Sequence, residues 1–317
     1  MKTIMYDLVV VGAGIAGLVT ARNAARAGLS TLLIESLSFG GLVTNVIELD
    51  GEVKGCGADV ATEIMMEACD LGTHVKIENV SAIETLCDRF VVVSDQGRHE
   101  AHAVVAASGA TLRALSVPGE ELFTGRGVSH CADCDGPFFR DKDVVVIGGG
   151  DAALQSALLL AQICRNVNLV HRRDRFKARP DYVKRVDEHP RIQLTFNARV
   201  TAVVGGITVE ALEIVQDGVA GTLPCHGVFP FIGLQPAGGY LPQDIKRDDC
   251  GHVIVDGSMA SSIRGVFAAG ALRAGYAGQV ANAVADGERA AAAVKEFLSN
   301  RELKKSMVQI SQLRQDL

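Results

Sequence analysis

Short, almost wholly apolar runs alternate along this chain with stretches in which small residues recur at helical spacing. Leu8–Val11 is the first such run, and Gly12, Gly14 and Gly17 stop it. Gly14, Gly17, Ala21, Ala24, Ala25 and Gly28 then fall on one face of a predicted helix. A second run, Thr31–Ile34, closes on Glu35. Apolar runs of this length bounded by glycine read as buried strands. The pattern therefore predicts strand, glycine turn, helix, strand, acid. Residues 143–170 repeat it, with a strand at Val144–Ile147, a turn with Gly148, Gly150 and Ala153, a helix over Ala153–Cys164 and a strand at Val167–Val170. Gly265–Gly270 reads as a further strand in the sheet of the first. That makes the second unit an insertion, bounded by the turn-rich stretches Ser116–Gly119 and Leu241–Asp244.

The order of each unit is that of a dinucleotide-binding turn. Gly12 permits the tight turn, Gly14 lets the backbone approach a pyrophosphate, and Gly17 lets the helix lie close on the sheet. The pyrophosphate would face unpaired N–H groups and the positive end of the helix dipole. Glu35 stands 18 residues after Gly17, where a carboxylate holds ribose hydroxyls. The second unit ends instead in His171-Arg172-Arg173-Asp174-Arg175-Phe176-Lys177. Guanidinium groups at the ribose position suit a 2′-phosphate, so the second site reads as NADP(H). A solvated charge run is the competing reading, but it does not explain the position. Two sites of different polarity point to two dinucleotides passing electrons.

The length of 317 residues suggests about two domains. A composition of 48% hydrophobic and 21% charged residues is that of a globular protein. With 31 Lys and Arg against 37 Asp and Glu, the net charge of −6 gives no electrostatic claim on nucleic acid. No apolar stretch approaches the ~18 residues of a membrane span. Residues 1–5 lead directly into the first strand, unlike a signal peptide. Six of the eight cysteines are isolated, and the expected compartment is the cytoplasm.

Cys131-Ala132-Asp133-Cys134 is the single C-x-x-C. A zinc site needs four ligands, and no second pair supplies the rest. Buried structural thiols are another reading. A redox disulfide is the third, favoured because such a pair closes readily and lowers one thiol pKa toward neutrality. Asp135 follows directly, placed for proton transfer or simply for an Asp-Gly turn.

The run Gly127–Gly136, the Gly148–Ala153 turn and His171-Arg172-Arg173-Asp174 together resemble the low-molecular-weight, bacterial-type thioredoxin reductases. Ala107-Ser108-Gly109-Ala110, Val117-Pro118-Gly119-Glu120-Glu121, Gly227-Val228-Phe229 and Ile232-Gly233 extend the likeness over residues 5–295. The resemblance implies an α/β fold of two Rossmann-like, three-layer β/β/α domains. An NADPH domain, residues 115–243, would be inserted into an FAD domain made of 1–114 and 244–317. It also implies a homodimer. It assigns FAD to Gly12, Gly14, Ala16, Gly17, Glu35, Gly41, Val80, Ser108, Gly109, Gly270, Gln279 and Val280. NADPH falls to Gly148, Gly150, Asp151, Ala152, His171, Arg172, Arg173, Lys177 and Ile232, and no metal is implied. Cys131 would attack the acceptor disulfide, Cys134 would face the flavin, and Asp135 would carry protons.

The chain departs from that family at several points. Ala271 replaces an Asp that bonds the flavin side chain, a loss of ~1.5–3 kcal/mol unless something substitutes. Gly278-Gln279 stands for Arg-Gln, Gln155-Ser156 for an acidic pair, and Gly41-Leu42 for Gly-Gln. Lys177 keeps the charge of the family's Arg but not its fork. Beyond residue 300, Leu303, Met307, Ile310, Leu313 and Leu317 form an apolar stripe expected to pack on its own domain or across a dimer, with a partner-binding helix as the alternative. The expected function is NADPH-dependent reduction, through FAD and Cys131–Cys134, of an external disulfide such as thioredoxin. A relative acting on a small-molecule disulfide and a non-enzymatic redox sensor are the alternatives. Because nicotinamide and disulfide share the inserted domain, a swivel between its two connectors is expected to bring them to the flavin in turn.

Overall fold

The structure is a computed structural model, and it describes residues 4–46, 49 and 53–315. The chain forms two compact units, Met1–Thr111 with Pro236–Leu317, and Leu112–Gln235. The first unit opens with β1 (Met5–Val11), α1 (Ile15–Arg26), β2 (Thr31–Glu35), α2 (Gly57–Asp70) and β3 (His74–Ile77). A meander follows, of β4 (Val80–Thr85), β5 (Phe90–Ser94) and β6 (Arg98–Ala106). The chain leaves along β7 (Ala110–Leu112).

The second unit contains α3 (Glu120–Phe123), α4 (Ala132–Asp135), β8 (Asp143–Gly148), α5 (Asp151–Ile163), β9 (Asn166–Val170), α6 (Pro180–Asp187) and β10 (Ile192–Thr195). Three more strands, β11 (Ala198–Gly205), β12 (Val209–Gln216) and β13 (Val219–Pro224), precede β14 (Gly227–Phe231). The return strand β15 (Leu234–Pro236) pairs with β7, and the first unit is completed by β16 (Val266–Ala268) and α7 (Val280–Gln315).

In the first unit β3, β2, β1 and β6 run parallel in that order. The long β6 serves two partners on its other edge, β5 along Arg98–Ala101 and β16 along Val104–Ala106. This places Gly265–Gly270 in the sheet of β1, as the apolar pattern predicts. Both faces of β1 are covered, which explains its unbroken apolar run. Leu8 and Val10 pack with Leu18 and Val294 of α1 and α7, while Val9 and Val11 pack with Ile83 and Val92 of the meander. Each fully buried aliphatic side chain there contributes about 1.5–3 kcal/mol.

The second unit repeats the three layers. A parallel sheet in the order β10-β9-β8-β14 carries α5 and α6 on one face and the antiparallel β11-β12-β13 on the other. The inserted unit begins at residue 112 and ends at 235, rather than at 115 and 243. The second difference is the larger, and packing explains it. Leu241 and Ile245 are buried in the first unit's core, where apolar burial outweighs the turn signal of Pro242.

Beyond residue 300 the backbone remains part of α7, which runs on to Gln315. Leu303 of the apolar stripe is exposed, and Leu317 lies outside the described residues. No helix among the described residues is long and apolar enough to cross a membrane.

Candidate functional site

The first glycine turn lies at the carboxyl end of β1, where ligands of open α/β sheets bind. Gly12 has φ +103°, and a Cβ there would meet the Ala107 carbonyl at 2.5 Å. A Cβ on Gly17 would collide with the carbonyl of Gly12, so the helix sits as close as glycine alone allows. Gly14 is different, because the space beside it is open. It starts α1 without a side-chain cap, so the N–H groups of Ile15, Ala16 and Gly17 have no partner within the helix. Gly41 approaches Gly14 from the other side, and the Gly40 N–H donates to the Ala13 carbonyl at 2.7 Å.

Glu35 has a structural duty that its spacing does not reveal. Its Oε2 accepts from the Ala13 N–H at 2.7 Å, and its Oε1 accepts from the N–H groups of Ser36 and Leu37. The carboxylate thus holds the glycine turn itself. Its carbonyl accepts from the Glu78 N–H at 2.8 Å, which brings the start of β4 at Val80 toward the same end of the sheet. Ser108, just past β6, donates to the Ala237 carbonyl at 2.7 Å and accepts from the Tyr240 hydroxyl at 3.0 Å. Burial pushes the Tyr240 phenol pKa upward and keeps it a donor. Gly109 accepts from the Ala237 N–H at 3.0 Å. Gly270 leans on Ala16, whereas Gln279 is exposed just before Val280 opens α7.

The second turn has the same construction. At Gly148, φ +155°, a Cβ would meet the Ala153 side chain at 2.7 Å, while Gly150 borders open space and starts α5 uncapped. Asp151 is engaged with its own loop. Its carboxylate accepts from the Arg179 N–H at 2.8 Å and pairs with the Arg179 Nε at 3.1 Å, leaving Ala152 beside it in the first turn of α5. The Lys177 N–H donates to the Gly149 carbonyl at 2.8 Å, which folds the cationic segment back toward the turn. Arg172, Arg173 and Lys177 are exposed, and no ion pair engages them among the described residues. His171 is 8% exposed, and its Nε2 is buried without a partner. Burial, helped by the charges of Arg173 and Arg172, pushes its pKa below the usual histidine value. Ile232 lies past the end of β14 and is exposed.

Cys131 and Cys134 form a disulfide across the single turn of α4, with Cα atoms 5.3 Å apart. With the two sulfurs bonded to each other, the pair stands in the oxidised form of a redox disulfide. The Cys131 N–H donates to Ser129 Oγ at 3.1 Å and the Cys134 N–H to Cys131 Sγ at 3.2 Å. Cys134 is exposed and Cys131 is half-buried, so the pair is not a buried structural one. The half-buried Asp135 carboxylate has no hydrogen-bond partner among the described residues. Ala132 is buried against α5, and a Cβ on Gly136 would meet Leu160 at 3.1 Å. Disulfide and glycine turn therefore ride on one helix, contacting it about 15 Å apart along its axis.

A family model described as pyridine nucleotide-disulphide oxidoreductase matches residues 6–287. The chain is similar to the thioredoxin reductase of Treponema pallidum, with 39% identity over 299 residues, 92% of this chain and 97% of that protein. It is 37% identical over 276 residues to the thioredoxin reductase of Mycolicibacterium smegmatis, covering 84% of this chain and 88% of that one. Among solved structures, Lactococcus lactis thioredoxin reductase in its FR conformation superposes with TM-score 0.88 at 30% identity, over 93% of this chain and 99% of that chain.

Proposed function

This chain belongs to the pyridine nucleotide-disulphide oxidoreductase family, and from that premise we propose that it is an NADPH-dependent flavoprotein reductase of an external protein disulfide of the thioredoxin kind. The carrying observation is the Cys131–Cys134 disulfide of α4, packed against the helix α5 that opens from a dinucleotide turn with three uncommitted cations. The residues fit both cofactors. At each turn an uncapped helix start faces open space, as a pyrophosphate requires, and the orphaned His171 Nε2 lies in the second. Arg172, Arg173 and Lys177 would bind the 2′-phosphate that separates NADPH from NADH. FAD at the first turn would supply a two-electron relay between nicotinamide and sulfur.

The separation along α5 supports alternating presentation of nicotinamide and disulfide, since one rigid helix cannot bring both to one ring at once. Once reduced, the cysteine pair performs an exchange that balances without further reagents. One thiolate attacks an acceptor sulfur and expels the other as a thiolate, giving a mixed disulfide. The second cysteine then attacks its partner, which restores Cys131–Cys134 and releases the acceptor as a dithiol. Exposure favours Cys134 as the sulfur that meets the acceptor, the reverse of the order the resemblance implies. Asp135 is placed to exchange the protons these thiolates need.

The decisive experiment is anaerobic titration of the yellow protein with NADPH, followed by oxidised thioredoxin. Bleaching complete at two equivalents, since the flavin and the Cys131–Cys134 disulfide each take two electrons, and recovery on adding thioredoxin is the expected result. Bleaching without recovery would reject the acceptor, and no bleaching would reject the nucleotide.

A further inference from the structure

Away from the glycine turns, the first unit holds a carboxylate that is wholly buried and fully engaged. Asp286 projects from α7, and its Oδ2 accepts from the Gly270 N–H at 3.1 Å and from Arg273 Nε at 2.6 Å. Its Oδ1 accepts from Arg273 Nη2 at 2.9 Å and from Arg289 Nη2 at 3.2 Å. Gly270 and Arg273 flank a single 3₁₀ turn, Gly270–Leu272, so one carboxylate grips both ends of it. That turn is where the first unit closes over α1. Gly270 has φ +70°, and a Cβ there would meet Ala16 Cβ at 2.9 Å. The next residue of α7 presses on the same spot, since a Cβ on Gly287 would meet the Ala16 carbonyl at 2.6 Å. Thr20 Oγ1 donates to the Ala16 carbonyl at 2.7 Å and lies 3.4 Å from the Gly287 carbonyl.

Ala16 belongs to the uncapped first turn of α1, whose free N–H groups face the open side of Gly14. Asp286 and Gly287 therefore fix, from one helix, both the height of the Gly270 turn and the position of the anion-binding helix start. The turn has no polar side chain of its own to do this, because Gly270, Ala271 and Leu272 are apolar.

We propose that Asp286 is the positioning residue of the flavin site, clamping the Gly270–Arg273 turn so that its backbone and the first turn of α1 present a preformed cradle to the flavin dinucleotide. The proposal rests on the reading of the first glycine turn as the flavin site. Three proteins test it: the wild type, Asp286→Asn, which keeps the size but loses the charge, and Arg273→Lys, a milder change that loosens the same clamp. Each is stripped of flavin, its melting temperature is measured, and FAD is titrated by quenching of flavin fluorescence. The expected result is a Kd for FAD raised at least tenfold in both variants, with Arg273→Lys apoprotein melting within a few degrees of wild type. Unchanged Kd values, or weakening only in protein that is already unfolded, would overturn the proposal. Failure of the wild type itself to take up FAD would overturn the underlying reading of the turn.

Discussion

The His171 ring lies so close over Gly149 that a side-chain carbon on that glycine would meet its Nε2 at 2.7 Å. The middle residue of the second turn is thus glycine for the sake of a ring that comes from the next strand. Gly149→Ala is expected to push the ring outward and to weaken NADPH binding roughly tenfold or more, leaving flavin content unchanged. The cationic residues beside it make a separate claim. Arg172→Ala with Arg173→Ala should weaken NADPH by about 10–100-fold, at the ~1.5–3 kcal/mol of a charge-assisted hydrogen bond, and NADH hardly at all. Stopped-flow flavin reduction measures both donors, and equal losses for the two would refute the 2′-phosphate assignment.

Glu78 is buried beside His99, whose Nε2 lies 2.5 Å from its Oε2. Burial alone would raise the carboxyl pKa, but hydrogen bonds from Ser94, His99 and Lys76 outweigh it and bring it down to about 2. An unfolded Glu titrates near 4.5, so between these values the unfolded chain binds a proton that the native protein does not. The stabilisation is therefore complete above about pH 4.5 and is lost as the pH falls toward 2. Glu78→Gln should lower stability by a few kcal/mol at neutral pH and flatten its acid dependence. Urea midpoints taken between pH 3 and pH 7 check this, and parallel curves for the two proteins would contradict it.

Both glycine turns and the cysteine pair were legible in the sequence because each is local. Strand, turn and helix follow within about thirty residues, and doubly covered strands leave unbroken apolar runs such as Leu8–Val11. The groups that hold the turns in place were not legible, because their partners are far away. Asp286 reaches Gly270 and Arg273 across a helix and a loop, Glu78 meets His99 from the next β-ribbon, and Tyr240 finds Ser108 only after the inserted unit. Asp286 does carry one signal, an acid with Arg289 three residues on in an alanine-rich helix, but Glu288 stands two residues away and Arg273 cannot be chosen as the partner from spacing. Which of the two cysteines is the more exposed also needed the fold, since exposure is not written in a C-x-x-C spacing.

If Cys134 is the sulfur that meets the acceptor, the two serine variants will behave differently. Cys131→Ser leaves the exposed thiol without its resolving partner, so it should form a lasting mixed disulfide with an acceptor that has itself lost its resolving cysteine. Cys134→Ser should trap little. Both should lose turnover while bound flavin is still reduced by NADPH. Non-reducing gel electrophoresis with peptide mapping identifies the trapped residue, and a bond to Cys131 would restore the order implied by the resemblance.

Phe138 is 75% exposed, four residues beyond Cys134, in the 3₁₀ turn Gly136–Phe139 that continues α4. Its neighbour Phe139 is packed edge-on against Phe229 at 5.4 Å, so the turn is anchored while Phe138 is left to solvent. An exposed aromatic beside an accessible disulfide contributes nothing to folding, but it offers a large apolar contact to a protein acceptor. Phe138→Ala should therefore raise KM for thioredoxin about tenfold, the ~1–2 kcal/mol of a truncated interface aromatic, with kcat nearly unchanged. A small aromatic disulfide needs no such surface and should be reduced at the wild-type rate. Steady-state assays with the two acceptors separate contact from chemistry, and a matching loss with both would place Phe138 in the integrity of the cysteine turn instead.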